Sequence, residues 1–387
     1  MPKACIIDAV RTPVGRAFKG SLAQQRPDDM GAYVIDRLLE RNPNVDPALV
    51  EDVICGCGLP QGVQAFNIGR IISLLSEKLP QTVNGVTVSR YCASSLEAIR
   101  NAANAVEAGQ GDVYIAAGVE WVSKYNERQE AAGAADQHER LQGKDGQPDA
   151  YIAMGHTAEN VADRYDVSRE DMDKYAQRSQ ERAVAAQRDG SFDKEIVPVT
   201  LPDGTEVTKD DGPRASSTLE KLAELKPVFR EDGRVTAGNS CPLNDGAAAA
   251  LVVSEDKAGE LGLTPRARIV TAATWANEPE YMGVAPIGAI RKALDRAGMA
   301  IGDVDVVELN EAFAAQVLPI ADEVGIDMDK LNPRGGAIAL GHPFGMTGAR
   351  IMTTLLTDLD VLDGTIGLET MCVAGGQGEA MIVERLK

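Results

Sequence analysis

A series of strand-like and helix-like apolar runs occurs twice along the chain, once in each half. Each copy opens with a short apolar run that predicts a buried strand, Ala4–Ala9 in the first and Arg268–Ala273 in the second. Each copy then continues through a helical stretch to a second strand-like run behind acidic residues, at 51–55 and 303–307. The same series of elements found twice predicts an internal structural repeat.

The next strong pattern in each copy is an amphipathic helix, followed by two more strand-like runs. In the first copy the apolar residues that share one helical face are Leu96, Ile99, Ala103 and Val106. In the second copy they are Ile351, Met352, Leu355, Leu356 and Leu359. The strands that follow are expected at 112–116 and 250–253, and at 365–368 and 380–383. Strands that alternate with helices predict an α/β fold, and the periodicity leaves the strand order within each half open.

A long polar segment interrupts the first copy before its last strand. The segment spans roughly 119–245, is helix-rich, and contains Gly, Asp and Gln clusters near 133–149 and 202–217. We therefore divide the chain into an N-terminal half (1–118 plus 246–266), an inserted domain (119–245) and a C-terminal half (267–387). Because an insertion at one end of an α/β sheet is placed to cover a site there, we expect it to lie over the active site.

Composition and charge narrow the possible functions. The chain has 39 basic and 58 acidic residues, and a net charge of −19 disfavours nucleic acid and anionic membranes as partners. No apolar run approaches the roughly 18 residues that span a bilayer, and the chain start lacks the features of a signal peptide, so we expect a cytoplasmic protein. The cysteines are scattered, and Cys55 and Cys57 are too closely spaced for a typical zinc site. We expect those two to be buried small residues, and we expect no bound metal.

Two residues able to do covalent chemistry occupy matching positions of the repeat. Cys92 stands at the predicted start of the first amphipathic helix, and His342 stands at that of the second. A helix start favours a thiolate, and packing of the halves about a pseudo-twofold axis would bring the two helix starts together. Because histidine beside cysteine is the usual arrangement of an activated sulfur nucleophile, we predict that Cys92 attacks and that His342 accepts its proton.

Three further residues are candidates for the same chemistry. Cys372 follows a predicted strand and lies in a Gly-rich turn, whose backbone N–H groups can converge on negative charge. A thiol with an ordinary pKa of about 8.5 can give and take protons near neutrality. Asn310 is a candidate to hold a water or an oxyanion, whereas Glu311 is expected to begin a helix. His156 fits equally well as a pocket residue or as a helix-start residue packed under the insertion.

Together these residues resemble the thiolase family, the acetyl-CoA C-acyltransferases and C-acetyltransferases. The resemblance is collinear over essentially the whole chain, and it rests on several motifs in order, among them Arg90-Tyr-Cys92-Ala-Ser, Asn244-Asp-Gly-Ala247, Asn310-Glu-Ala-Phe313, Gly341-His-Pro343 and Cys372. It implies the thiolase fold, with two similar βαβαβαββ-type halves in five αβαβα layers and an inserted loop domain. It also implies a homodimer or homotetramer.

The resemblance further implies cleavage of a 3-oxoacyl-CoA to acetyl-CoA and a shortened acyl-CoA, or the reverse Claisen condensation. The mechanism is ping-pong through an acyl-Cys92 intermediate, with coenzyme A as co-substrate and no permanently bound cofactor. Cys372 would protonate the acetyl-CoA enolate. One oxyanion would be held by Asn310 (through a water) with His342, and the other by the backbone N–H groups of Cys92 and Ala374.

The same resemblance implies residues that contact coenzyme A or the acyl chain, namely Met154, Arg214, Lys221, Ala237, Cys241, Met282 and Phe313. Lys221 fits equally well as a solvated surface charge. Cys241 stands where the family commonly has serine, which leaves that contact open.

Three alternatives to a degradative thiolase remain. A biosynthetic acetoacetyl-CoA thiolase would use the same residues. A ketoacyl synthase shares the fold but pairs its cysteine with two histidines or with histidine and asparagine, so Cys372 favours a thiolase. A silent structural subunit of a fatty-acid oxidation complex is disfavoured because all four chemical groups are present. A dehydrogenase or hydratase of β-oxidation is a possible partner.

Overall fold

The computed structural model describes residues 2–125, 127 and 137–386, so part of the cluster predicted near 133–149 lies outside the described residues. The strands, in chain order, are β1 Ala4–Arg11, β2 Gly15–Arg16, β3 Asp52–Cys57, β4 Asn84–Val88, β5 Val113–Trp121, β6 Val199–Thr200, β7 Glu206–Val207, β8 Asn244–Ser254, β9 Ala267–Ala276, β10 Val306–Leu309, β11 Ile366–Val373 and β12 Gln377–Arg385. The helices are α1 Pro27–Arg41, α2 Ile68–Leu75, α3 Ser94–Glu107, α4 Met154–Arg164, α5 Arg169–Asp189, α6 Leu219–Ala223, α7 Glu255–Glu260, α8 Ala285–Ala297, α9 Ala314–Val324, α10 Ala337–Leu340 and α11 Thr347–Val361.

The pairing of the strands confirms the internal repeat. The main sheet has the order β10-β11-β12-β9-β1-β8-β5-β3-β4, with β2 beside β8. In the first half β3 runs parallel to β5, and β5, β8 and β1 follow as antiparallel neighbours. In the second half β10 runs parallel to β11, and β11, β12 and β9 follow in the same way. The halves meet where β1 pairs with β9, at Cys5 opposite Arg268 and Ile6 opposite Ala267.

The two amphipathic helices lie together between the sheets of the two halves. All the residues predicted for their apolar faces belong to one buried cluster, which also contains inward-facing strand residues of both halves such as Ile6 and Met381. Helices α1 and α2 cover the outer face of the first half, and α8 and α9 cover that of the second. The result is five layers in the order helix, sheet, helix, sheet, helix, as the resemblance implied.

The polar segment between β5 and β8 leaves the sheet after Trp121 and returns at Asn244. It carries α4, α5 and α6 and the small β6–β7 sheet. Buried residues of α4 and α5, among them Val161 and Met172, pack into the core of the C-terminal half. The segment therefore interrupts one half and packs on the other, and the division into three domains stays a prediction.

The starts of the central helices differ from the prediction. Cys92 lies in a 3₁₀ turn, Tyr91–Ala93, and α3 begins at Ser94. His342 lies in the loop after α10, and α11 begins only at Thr347. Hydrophobic periodicity identified the apolar face of each helix, but that face does not mark where the chain enters the helix.

Two positions in the second half also differ from the prediction. Glu311 does not begin a helix, because α9 starts at Ala314. Cys372 lies inside β11 rather than in the turn, and the Gly-rich turn is formed by residues 374–376 between β11 and β12. Gly375 and Gly376 have φ values of 81° and 80°, a conformation that favours glycine.

Cys55 and Cys57 are fully buried in β3, as predicted. Within the described ranges, no helix is long and apolar enough to cross a membrane. The same ranges contain no group of three or more His, Cys, Asp or Glu side chains arranged to hold a metal ion.

Candidate active site

The two helix starts approach each other, as the repeat predicts. The Tyr91–Ala93 turn contacts both strand β11 and the 3₁₀ turn Phe344–Met346 that follows His342. The backbone N–H of Ala349 donates to Ser95 Oγ at 2.9 Å, across the boundary between the halves. Cys92 is 9% exposed at this junction, so its thiol lies in a nearly closed site.

Hydrogen bonds fix the tautomer of His342. Its Nδ1 lies 2.7 Å from Thr347 Oγ1, and that hydroxyl donates its proton to the Pro343 carbonyl at 2.8 Å. Since a hydroxyl carries one proton, Thr347 must accept from the imidazole, and Nδ1 therefore carries the ring proton. The lone pair of the neutral ring is on Nε2, which lies 3.3 Å from Nδ2 of Asn310.

His342 is neutral at physiological pH. Burial, followed by the positive charge of Arg350, lowers its pKa from 6.5 to about 3. The ring is 1% exposed, so no solvent offsets the penalty for charging it. A neutral imidazole whose Nε2 carries no proton is the form that accepts one.

Side chains of the first half hold the backbone of the His342 loop. The backbone N–H of His342 donates to Asn244 Oδ1 at 3.0 Å, and that of Gly345 donates to Glu120 Oε2 at 3.0 Å. Asn244 begins β8 and Glu120 lies near the end of β5, and both are fully buried. The position of the imidazole therefore depends on the docking of the two halves.

The side-chain amide of Asn310 has its nitrogen engaged and its oxygen available. Its Nδ2 faces His342, whereas its Oδ1 is buried with no hydrogen-bond partner among the described residues. A buried polar atom without a partner is uncommon and suits a water or ligand. This geometry is compatible with the predicted water-holding role.

Three thiols lie close enough to influence one another. The pKa of Cys92 is raised well above its usual value by burial, then by Cys372, Cys241 and Glu120. A helix start favours a thiolate, but Cys92 lies in the turn before α3, and burial is the largest effect on its pKa. Burial also raises the pKa of Cys372 to about 11, so the near-neutral value predicted for it is wrong.

Cys372 accepts a hydrogen bond that the sequence did not suggest. Nε2 of Gln316, from the first turn of α9, donates to Cys372 Sγ at 3.0 Å. This hydrogen bond lowers the pKa of the thiol, opposing the larger effect of burial. Gln316 is fully buried.

Glu311 joins the insertion to the His342 loop. Tyr175 and Ser179 of α5 donate to its two carboxylate oxygens at 2.8 and 2.6 Å. Asn332 donates from the loop before α10 at 2.8 Å, and the backbone N–H of Ile338 donates from α10 at 3.1 Å. The carboxylate next to Asn310 is thus a buried connection between three segments, rather than the beginning of a helix.

The predicted substrate-contact residues separate into two groups. Met282 and Phe313 share a buried cluster with Cys372, and Met154 and Cys241 pack against it. Ala237, Arg214 and Lys221 are exposed on the insertion. Partial desolvation, together with the charge of nearby Arg16, lowers the pKa of Arg214.

His156 and Ala374 are the remaining residues for which the sequence suggested a role. The His156 ring stands edge-on to Phe229 with centroids 6.0 Å apart, and Phe229 stands edge-on to Phe313 at 6.3 Å. His156 therefore packs against the aromatic side of the site. Ala374 opens the turn after β11 and is half-buried.

Sequence reasoning missed the supporting residues of the site, namely Ser95, Glu120, Thr347, Gln316 and the roles of Asn244 and Glu311. Thr347 lies five residues after His342, a spacing at which a hydroxyl can reach back to the ring. Asn244 lies within a motif that carried the family resemblance. For Glu120 and Gln316 the sequence holds no comparable signal.

The chain matches two family descriptions in succession. Residues 4–256 match "Thiolase, N-terminal domain" and residues 263–385 match "Thiolase, C-terminal domain". It is 45% identical to a 3-oxoadipyl-CoA/3-oxo-5,6-dehydrosuberyl-CoA thiolase of Escherichia coli and 44% identical to a 3-ketoacyl-CoA thiolase of Shewanella baltica, with 100% of both chains covered in each case. The crystal structure of the Bacillus anthracis acetyl-CoA acetyltransferase superposes with a TM-score of 0.91 at 39% identity, covering 100% of this chain and 99% of that one. On its sequence and its fold, the chain belongs to the thiolase family.

Proposed function

We propose that this chain is a CoA-dependent thiolase that works through an acyl-Cys92 intermediate. It would cleave a 3-oxoacyl-CoA to acetyl-CoA and a shortened acyl-CoA, or run the reverse condensation. The observation that best supports this proposal is the neutral imidazole of His342, which has its lone pair on Nε2 and lies in the same buried junction as Cys92 and Cys372. Family membership supports coenzyme A as the co-substrate, without a permanently bound cofactor.

The pKa shifts set the order of proton movements in the acylation. Because the pKa of Cys92 is raised, the thiol is protonated at rest and needs a base. His342 Nε2 takes that proton as Cys92 Sγ attacks the 3-keto carbon. The imidazolium is strongly disfavoured by burial, so we expect the proton transfer to accompany the attack rather than to precede it.

The second thiol suits the carbon–carbon step. When the bond breaks, the acetyl-CoA enolate needs a proton, and the Cys372 thiol donates it. A thiol with its pKa raised to about 11 is a stable proton donor at neutral pH and can be regenerated from its thiolate. The proton that His342 took from Cys92 passes to the Cys372 thiolate, which restores the thiol and the neutral imidazole. His342 then accepts the proton of coenzyme A as the CoA sulfur attacks the acyl carbon, and the departing Cys92 sulfur takes that proton back.

The test is CoA-dependent loss of 3-oxoacyl-CoA absorbance across a chain-length series that includes a dicarboxylic member. We expect activity on at least one member, and we expect Cys92→Ala to abolish it. Cys55→Ala removes a buried thiol of β3 and is the matched control, expected to retain activity. Full activity of Cys92→Ala would contradict the proposed mechanism. A wild type that is inactive on every member of the series would contradict the proposed activity.

A chemical test separates the enzyme from the silent structural subunit. Iodoacetamide should alkylate Cys92 stoichiometrically, and an acyl-CoA should block that alkylation. Labelling that is not protected by acyl-CoA would favour the silent subunit.

We further propose that the protein is a homo-oligomer in the cytoplasm. Strand β4 forms one edge of the main sheet, and near it Phe66 is 90% exposed and Val86 is 38% exposed. An exposed apolar sheet edge favours pairing with a second copy. Sedimentation velocity should show a dimer or tetramer, and Phe66→Asp should shift it toward monomer, whereas Leu362→Asp at the exposed end of α11 should not. An oligomer unaffected by Phe66→Asp would place the interface elsewhere.

The proposed reaction also implies a partner reaction. A 3-oxoacyl-CoA arises by oxidation of a 3-hydroxyacyl-CoA, which in turn arises by hydration of an enoyl-CoA, so a dehydrogenase or hydratase of β-oxidation is the expected neighbour in metabolism. Co-purification of such an enzyme with this chain would support that partner.

A further inference from the structure

The second thiol of the site has a dedicated hydrogen-bond donor. Gln316 Nε2 lies 3.0 Å from Cys372 Sγ, and both side chains are fully buried. An amide N–H can only donate, so the sulfur is the acceptor in this bond. A sulfur that accepts a hydrogen bond is stabilised more as a thiolate than as a thiol, because bonds to charged groups are the stronger ones.

The fold holds the Gln316 amide in place. The residue is in the first turn of α9, and its Oε1 is buried with no hydrogen-bond partner among the described residues. A Cβ added to Gly283 would lie 2.9 Å from that oxygen and 3.0 Å from Gln316 Cβ, so the neighbouring turn packs closely on the side chain. A side chain enclosed in this way keeps its donor directed at the sulfur.

Few other groups favour a thiolate at this position. Burial is the largest effect on the pKa of Cys372 and raises it, and the Gln316 bond is the larger of the two hydrogen-bond effects that lower it. Among the described residues, the titratable groups that interact electrostatically with this thiol are Cys92, from the Tyr91–Ala93 turn, and Cys241, whose N–H donates to the Ala312 carbonyl. Both are thiols, and neither supplies positive charge.

We propose that Gln316 is a catalytic residue of the carbon–carbon step, and this rests on the proposed function. In the condensation direction, the Cys372 thiol gives its proton to His342, and the α C–H bond of acetyl-CoA breaks as an S–H bond forms on the resulting Cys372 thiolate; the imidazolium later returns its proton to Cys92. The resulting carbanion forms the new C–C bond at the acyl carbon as the acyl–Cys92 C–S bond breaks, so negative charge passes from one sulfur to the other. Gln316 stabilises the first of these thiolates. The acyl exchange at Cys92 does not use Cys372 and does not need Gln316.

The two half-reactions can be measured separately on the full-length enzyme. Exchange of the acetyl group between acetyl-CoA and labelled free CoA reports Cys92, and exchange of the acetyl-CoA methyl protons with D₂O reports Cys372. We expect Gln316→Leu to slow proton exchange about 10- to 100-fold, the loss typical of a hydrogen bond to a charged group, and to leave acetyl exchange within about twofold. The basic rise in proton exchange should also move to higher pH, because the thiolate forms less readily.

Two further variants keep the test interpretable. Gln316→Met keeps a similar length and has no group that donates to the sulfur, so proton exchange should fall about as far, even if Gln316→Leu folds poorly. Gln187→Leu is the matched control, since Gln187 donates to the Asp210 carbonyl outside the site at 3.0 Å. It should leave both exchanges unchanged.

The outcomes distinguish the two proposals. Proton exchange that persists within twofold in both Gln316 variants overturns the role of Gln316, as does an equal fall in both exchanges, which indicates structural damage. A wild type that catalyses neither exchange overturns the proposed function itself. A selective fall in proton exchange, with the pH shift, supports the inference.

Discussion

The pKa of His342 predicts a pH-dependent contribution to folding that one substitution can remove. In the native state burial lowers the pKa to about 3, whereas the unfolded chain has the ordinary value of 6.5. As the pH falls below 6.5, the unfolded state takes up a proton that the native state refuses. Stability is therefore fully present above pH 6.5 and is lost progressively as the pH falls toward 3.

The magnitude follows from the two pKa values. At pH 8 the ring is neutral in both states and contributes almost nothing. At pH 5 the pH lies 1.5 units below the pKa of the unfolded state, and the native ring is still neutral. At 1.36 kcal/mol per unit, protonation then stabilises the unfolded state by about 2 kcal/mol. In His342→Asn this loss is absent, so the variant's free energy of unfolding should fall about 2 kcal/mol less between pH 8 and pH 5 than that of the wild type.

Urea unfolding followed by far-UV circular dichroism at both pH values measures the effect. Comparing the pH dependence of the two proteins cancels other groups that titrate in both, and it also cancels any pH-independent effect of the smaller side chain. His138→Asn, at an exposed histidine, tests whether removing any imidazole gives the same result.

Equal pH dependence in the wild type and His342→Asn would refute the reasoning, because it would mean that the native ring protonates as easily as the unfolded one. The inference that burial keeps the ring neutral and the concerted proton transfer would then both fail, since both require a ring that resists charging.

Three further predictions test other parts of the structure. In Gly348→Ala the added Cβ would lie 2.2 Å from a backbone nitrogen of α3, so the free energy of unfolding, measured by thermal melts, should fall by about 1–3 kcal/mol or more. Gly302→Ala, with open space around it, should have little effect in the same measurement. Burial raises the pKa of Glu369, so stability is lost as the pH rises above about 4.5, and Glu369→Gln should stabilise the protein more at pH 8 than at pH 5 in urea titrations. Arg11→Met would leave Asp210 buried without its bidentate partner and should destabilise by about 3–5 kcal/mol; a change below 1 kcal/mol would contradict this.

The repeat and its chemistry could be read from the sequence because both are local patterns. Apolar residues at helical spacing mark the faces that α3 and α11 bury, and those faces meet in one core. The matching positions of Cys92 and His342 then follow from aligning the two copies. Nothing in that inference requires knowledge of how the strands pair.

The electrostatics could not be read in the same way. A helix start is visible in a sequence, but the burial that raises the pKa of Cys92 depends on packing by the other half. The same burial makes His342 neutral. The sequence therefore predicted the proton donor and the acceptor but not the protonation state in which each rests.

Long-range hydrogen bonds were also beyond the sequence. Glu120 and Gly345 are 225 positions apart, and Asn244 and His342 are 98 positions apart. No periodicity connects such pairs, and glutamate and asparagine occur at many positions of the chain that lie far from the site. Gln316 is similar, because its sequence position on α9 suggests only a core-facing polar residue.

The division of the site between two halves also shows why these hydrogen bonds matter. Apolar packing between α3 and α11 is adaptable, because aliphatic side chains can repack with small losses. Three backbone N–H groups of the second half, at His342, Gly345 and Ala349, instead donate to single oxygens of the first half. Each would lose its partner if the halves shifted, at a cost of about 1–3 kcal/mol per buried donor. The apolar layer thus brings the halves together, and the three directional bonds favour the docking that holds the His342 loop against the turn carrying Cys92.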